Sequence, residues 1–242
     1  GSEMCIRDRN NRKLKLVVPC QNEKDKDELI YKEFMAYKFF EELSDIHLKT
    51  QAVSLKIIEL KNGKEIEHNM FAFLVEDDNK VADRHAIKKY PSRRMSPLAV
   101  KDSSAINFTL FSYMIGNTDW SLAYQHNTEM FFDGKRMIAV PYDFDHSGLV
   151  NAFYAKPNPM LKISSVTERV YRGLCKRDPQ TFNNMRNLYI SKEESILNIL
   201  NGFKENIEVK EFERLNEYIN SFYGILKSDT EFKNKILSKC RG

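Results

Sequence analysis

Gly116-Asn117-Thr118-Asp119-Trp120, then His126-Asn127, then Val140-Pro141-Tyr142-Asp143-Phe144-Asp145 is the stretch on which the reading of this 242-residue chain turns. An apolar run predicts a helix over 103–115, and Asp119 stands just beyond it in a Gly/Asn-rich turn. Asn127 follows eight residues later. Between Asn127 and Asp143, the apolar runs 130–132 and 136–140 flank Asp133-Gly134, a hairpin signal that delivers Asp143 at the end of a strand. The pattern therefore sets a carboxylate, a carboxamide and a second carboxylate on loops at the ends of rigid elements. Asp143 and Asp145 flank Phe144, and alternation along a strand end sends both to one side, where two acids mean a cation or open solvent.

Working outward toward the N-terminus, residues 14–18 alternate and stop at Pro19, which predicts a short strand with Lys15 turned away from the leucines. Ile30, Phe34, Tyr37 and Leu43, with Phe39 and Phe40 beside them, repeat at helical spacing and predict a helix over 27–44. Runs 53–60 and 70–75 around Asn62-Gly63 predict two further strands. The polar segment 77–95, with Pro91 and Arg93-Arg94, reads as a connection. From about 178 onward, residues such as Ile196, Leu200, Leu215, Ile219 and Phe222 fit amphipathic helices of a bundle. The predicted class is α+β, with a sheet-bearing unit over 13–95 and a helical unit over 96–242. Residues 1–12 read as a tag scar, Gly1-Ser2, followed by a non-native leader that includes Cys5.

Phosphoryl transfer from ATP needs one carboxylate to orient the attacking hydroxyl, and an Asn and an Asp to hold Mg²⁺ against the phosphates. Asp119, Asn127 and Asp143 are such a set. Lys15 on a strand and Glu33 on the next helix match a second requirement, a lysine for the phosphates steadied by a helix glutamate. With these residues in view, the Asn-x-Asp, His-Asn and Pro-Tyr-Asp-Phe-Asp motifs resemble the signature of CotH-type spore-coat kinases, within the wider group of HipA-like atypical kinases, over most of residues 13–175. The resemblance implies a two-lobed protein-kinase-like fold using ATP and magnesium. It implies Asp119 as catalytic base, Asn127 and Asp143 as Mg²⁺ ligands, and Lys15 with Glu33 as the phosphate-anchoring pair. Asp145 becomes a second metal ligand or a structural acid. The acceptor would be a hydroxyl on a protein or a small molecule.

The chain departs from that pattern in three places. It has no G-x-G-x-x-G phosphate loop, so the strands that would carry one are missing or replaced, and the N-lobe reads as truncated. Tyr142 stands where a tryptophan is usual, and the His-Arg-Asp triplet is absent. Three alternatives stay open: transfer of AMP on the same scaffold, a pseudokinase or interaction module, and a metal-dependent phosphodiesterase using Asp119, Asp143 and Asp145.

Composition sets the outer limits. The 38 basic and 34 acidic side chains are interspersed at a net charge of +4, which gives no support to a nucleic-acid partner. No run reaches the roughly 18 apolar residues of a membrane span. Cys5, Cys20, Cys175 and Cys240 lack C-x-x-C spacing; Cys175 and Cys240 either pair in an oxidising compartment, which favours an extracytoplasmic site, or stay as buried thiols. His126 reads as a support for its loop, Trp120 as core, and 164–169 as a helix N-cap whose Arg169 pairs with an acid.

Overall fold

The helix predicted over 27–44 forms as α1 (Lys26–Leu43), and a computed structural model describes residues 2–7, 13–19, 26–91 and 94–242 around it. Ile30, Phe34, Phe39, Phe40 and Leu43 are buried along α1 because a sheet covers one side of it and helices cover the other. That sheet has four antiparallel strands in the order β1-β2-β4-β3: β1 (Ser2–Arg7), β2 (Lys13–Val18), β3 (Thr50–Lys61) and β4 (Lys64–Glu76). The stretch read as a leader thus contributes the strand that pairs with β2. Lys15 pairs with Val75 and shares the face that buries Val17 and Phe73 against α1. Leu16 and Val18 pack on the opposite face with Ala72.

The segment 77–95 is more than a connection. It contains α2 (Asp78–His85) and β5 (Lys88–Lys89). Asp77 caps α2 by accepting the Asn79 N–H, but Val81 and Ala82 are the buried residues of that helix, too few to leave an apolar period in the sequence. β5 pairs with β6 (Thr128–Phe132), which pairs with β7 (Met137–Pro141), giving a second antiparallel sheet of three strands.

Beside it lies α3 (Asp102–Ile115), whose residues from Ala105 to Ile115 are all buried. A helix apolar on every side must sit inside the molecule. Its polar members are satisfied locally: Asn107 Nδ2 donates to Leu43 O, and Tyr189 Oη donates to Asn107 Oδ1 at 2.7 Å. Of the remaining helices, α4 (Pro179–Ser191) and α6 (Val209–Lys227) pack on α3, α5 (Glu193–Gly202) packs against α1, α4 and α6, and α7 (Asp229–Lys235) packs against α6. One core runs from Val17 and Phe73 through Phe34 and Phe111 to Phe222. The described residues therefore form an α+β fold with two small antiparallel sheets and seven α-helices. None of these helices is long and apolar enough to cross a membrane.

Cys175 and Cys240 are joined by a disulfide, and beside it Leu174 and Arg241 form a parallel bridge. Cys20 and Arg93 lie outside the described residues, while Arg94 sits over the Tyr124 ring. Residues 164–169 form a turn rather than a helix start: Glu168 Oε1 accepts the Ser164 and Ser165 N–H groups. Arg169 meets carbonyls rather than an acid, donating to Met114 O and Tyr218 O while its guanidinium lies on the Tyr218 ring. The close approach of Gly148 to Val166 and Tyr218 makes this corner possible, since a Cβ at that position would lie 2.5 Å from Val166 O.

Candidate functional site

α3 ends at Gly116, whose left-handed backbone (φ 66) turns the chain and caps the helix by donating to Ser112 and Tyr113 carbonyls. The next residue, buried Asn117, accepts the Asp119 N–H on its Oδ1 at 2.8 Å, an Asx turn that orients Asp119. Trp120 Nε1 donates to Asn117 O, and Arg172 Nη1 donates to Thr118 O at 2.6 Å and to Trp120 O at 3.3 Å. The backbone on both sides of Asp119 is therefore held by side chains. Trp120 is buried, as expected of a core residue, and the Arg172 guanidinium lies over its ring.

The Asp119 carboxylate meets two of the residues singled out in the sequence. His126 Nε2 lies 2.9 Å from Asp119 Oδ1, and Asn127 Nδ2 donates to Asp119 O at 2.9 Å and to Asp119 Oδ2 at 3.2 Å. His126 is thus a loop support, as its sequence position suggests. Asp119 keeps a side-chain exposure of 42%.

The second half of the site is the end of β7. Thr128 and Pro141 are the last paired residues, and beyond them the Tyr142 N–H donates to Asn127 O at 3.3 Å. Asn127 (φ 49) and Asp143 (φ 60) both adopt left-handed backbone. Asn and Asp enter that region more readily than other side chains, and such conformations concentrate where function demands them. Phe144, buried against Tyr37 and Phe111, anchors the segment, so that Asp143 and Asp145 flank a fixed point. Asp143 N–H donates to Tyr37 Oη at 3.0 Å, and Asp145 Oδ2 accepts from Tyr154 Oη at 3.1 Å.

α1 brings Glu33 to the same segment. Glu33 is only 3% exposed. Burial pushes its carboxyl up to about 8, with the charges of Asp143 and Asp145 adding to the rise and the Phe144 N–H, which donates to it, opposing. Lys15 reaches the segment from β2, its Nζ 4.6 Å from the centroid of the Tyr142 ring. Asp119, Asn127, Asp143, Asp145, Glu33 and Lys15 thus converge on two short loops, although Lys15 and Glu33 are not joined by an ion pair among the described residues.

Three further residues escaped the sequence reading. Tyr37 reads there as core, yet it lies four residues after Glu33, one turn further along the same face of α1, and that spacing is the signal that could have found it. Tyr154 and Arg172 sit in irregular chain after β7, where no period marks their direction. Among the described residues, no group of three or more His, Cys, Asp or Glu side chains is placed to hold a metal. A cation at this site would therefore draw on a mixed set such as Asn127 and Asp143, completed by water or substrate oxygens. A scan against protein-family models finds no match for this chain, and a search of curated proteins finds none either.

Proposed function

We propose that the chain is an ATP- and Mg²⁺-dependent phosphotransferase acting on a hydroxyl, with a two-lobed kinase-like layout. The β1–β4 sheet with α1 would be the small lobe, and α3 to α7 the large one. One observation carries this reading: six residues chosen for phosphoryl-transfer chemistry, from four separate elements, come together at the Asp119 loop and the 142–145 segment. Asp119, oriented by Asn117 and Asn127, would take the proton of the acceptor hydroxyl as its oxygen bonds to the γ-phosphorus. The bond from that phosphorus to the β–γ bridging oxygen breaks, and ADP leaves. Asn127 and Asp143 offer the oxygen ligands that suit Mg²⁺, which when bound neutralises charge on the phosphates. Asp145 stands by as a second ligand. Lys15 would leave the Tyr142 ring to meet the phosphates, and Glu33 would steady it.

The test is a thermal-shift titration with ATP, with and without Mg²⁺, on the wild type and on Asp143→Ala. Ligand that binds only folded protein raises the midpoint by mass action, so a Mg²⁺-dependent rise that Asp143→Ala abolishes is the expected result. Asp119→Asn should keep the shift and lose turnover by about a hundredfold or more. One observation favours a second reading, a nucleotide-free interaction module: the cavity between Lys15, Glu76, Asp78 and Tyr142 holds only about 60 Å³. Ligand sites usually hold roughly 300–1,000 Å³. The absence of a shift in either protein would select that module and sink the phosphotransferase reading.

A further inference from the structure

Behind the Asp119 loop lies a cleft of about 440 Å³ that the reaction described above does not use. Its size is that of a small-ligand site. Trp120 and Ser121, the residues directly after Asp119, form one wall, and Arg172, Arg177 and Arg241 line it. One of these three charges is matched: Arg177 Nη1 pairs with Asp102 Oδ1 at 2.7 Å and also donates to Val100 O. The other two meet neutral acceptors. Arg172 donates to the Thr118 and Trp120 carbonyls, and Arg241 donates through Nε and Nη2 to Arg172 O. Among the described residues no carboxylate side chain pairs with Arg172 or Arg241. Arg172 Nε is, moreover, buried without a hydrogen-bond partner. Burial, with Arg241 adding to it and the Asp119 carboxylate opposing, lowers the Arg172 guanidinium to about 10.

Two arginines that line one concave, partly apolar cleft without a carboxylate side-chain partner suit a bound anion. We infer that this cleft receives the anionic group, carboxylate or phosphate, of an acidic acceptor whose hydroxyl is presented to Asp119. The inference rests on Asp119 being the base of the proposed reaction. The cleft has a built wall on the side of Arg241: the Cys175–Cys240 disulfide, the Leu174–Arg241 bridge and the Arg241 N–H donating to Gly173 O at 2.7 Å hold that residue in place.

Trp120 is the only tryptophan in the chain and lines the cleft, so its fluorescence reports binding directly and needs no ATP. The oxidised full chain would be titrated with a glutamate-flanked serine peptide and with glycerol 3-phosphate, using a glutamine-flanked peptide and glycerol as neutral controls. A saturable change with at least one acidic ligand and with neither control is expected. The peptide and the small phosphate separate a polypeptide acceptor from a small one. Arg241→Gln should weaken binding about tenfold, Arg241→Lys should restore most of it, and reduction of the disulfide should mimic Arg241→Gln. Three results would overturn the inference: an equal response to the neutral controls, undiminished binding by Arg241→Gln, or a full response to inorganic phosphate alone. Because the readout omits nucleotide, failure here is distinct from failure of the Mg²⁺·ATP shift, which tests the reaction itself.

Discussion

Replacing Glu33 by Gln gives the sharpest test of how the site is built. Glu33 is buried beside Asp143 and Asp145, and its carboxyl is raised from an ordinary 4.5 to about 8. The folded chain therefore binds this proton more tightly than the unfolded one, so stability is fully present below pH 4.5 and is lost as pH rises toward 8. Each tenfold change in proton affinity is about 1.4 kcal/mol, which makes the full cost of ionising Glu33 about 5 kcal/mol. Between pH 5.5 and pH 8 about 3 kcal/mol of that falls due.

Gln keeps the shape, accepts the Phe144 N–H as the acid does, and does not titrate. Glu33→Gln should thus match the wild type below pH 4.5 and exceed it by about 4 kcal/mol at pH 8, measured by urea unfolding across that range. Saturating Mg²⁺ and ATP should narrow the gap, because a cation at Asp143 removes part of the repulsion that keeps Glu33 protonated. Parallel stability curves for the two proteins would refute the reasoning, since they would mean that Glu33 ionises freely in the folded chain.

Other consequences are as direct. Opening the Cys175–Cys240 bridge, which spans 65 residues, by a double Cys→Ser change should cost about 4 kcal/mol in the chain-entropy limit, read from the urea midpoint. Gly148→Ala should lose about 1–3 kcal/mol because its Cβ would meet Val166 O and Tyr218 Oη, whereas Gly202→Ala, with open space around it, should be neutral or slightly stabilising; equal thermal midpoints would reject the packing argument. Arg172→Ala frees the Thr118 and Trp120 carbonyls, so turnover in a Mg²⁺·ATP assay should fall about tenfold or more with little change in nucleotide affinity. A fall in nucleotide affinity alone would place Arg172 elsewhere in the cycle.

Much of the fold is legible in the amino-acid sequence. The helical spacing of Ile30, Phe34, Tyr37 and Leu43, the turn at Asp133-Gly134, and the apolar run ahead of Gly116 locate their elements to within a few residues, while the strand after Asn62-Gly63 starts at Lys64, six residues ahead of the apolar run that marks it. Each of these signals is local: a period or a turn depends only on near neighbours in the chain. α2 escapes because two buried residues cannot write a period, and Arg169 is matched to an acid because a charge in sequence does not say that carbonyls will satisfy it.

The amino-acid sequence by itself determined the elements that carry the candidate site residues, because Asp119, Asn127 and Asp143 follow local signals at the ends of a helix and strands. Tertiary structure decided the rest. That Glu33 lies against Phe144, that Tyr37 holds the Asp143 N–H, that Lys15 sits over Tyr142, and that three arginines share one cleft are contacts between chain segments far apart in sequence. Burial raises the Glu33 carboxyl, and burial is a property of everything packed around a group, which no single stretch of sequence contains.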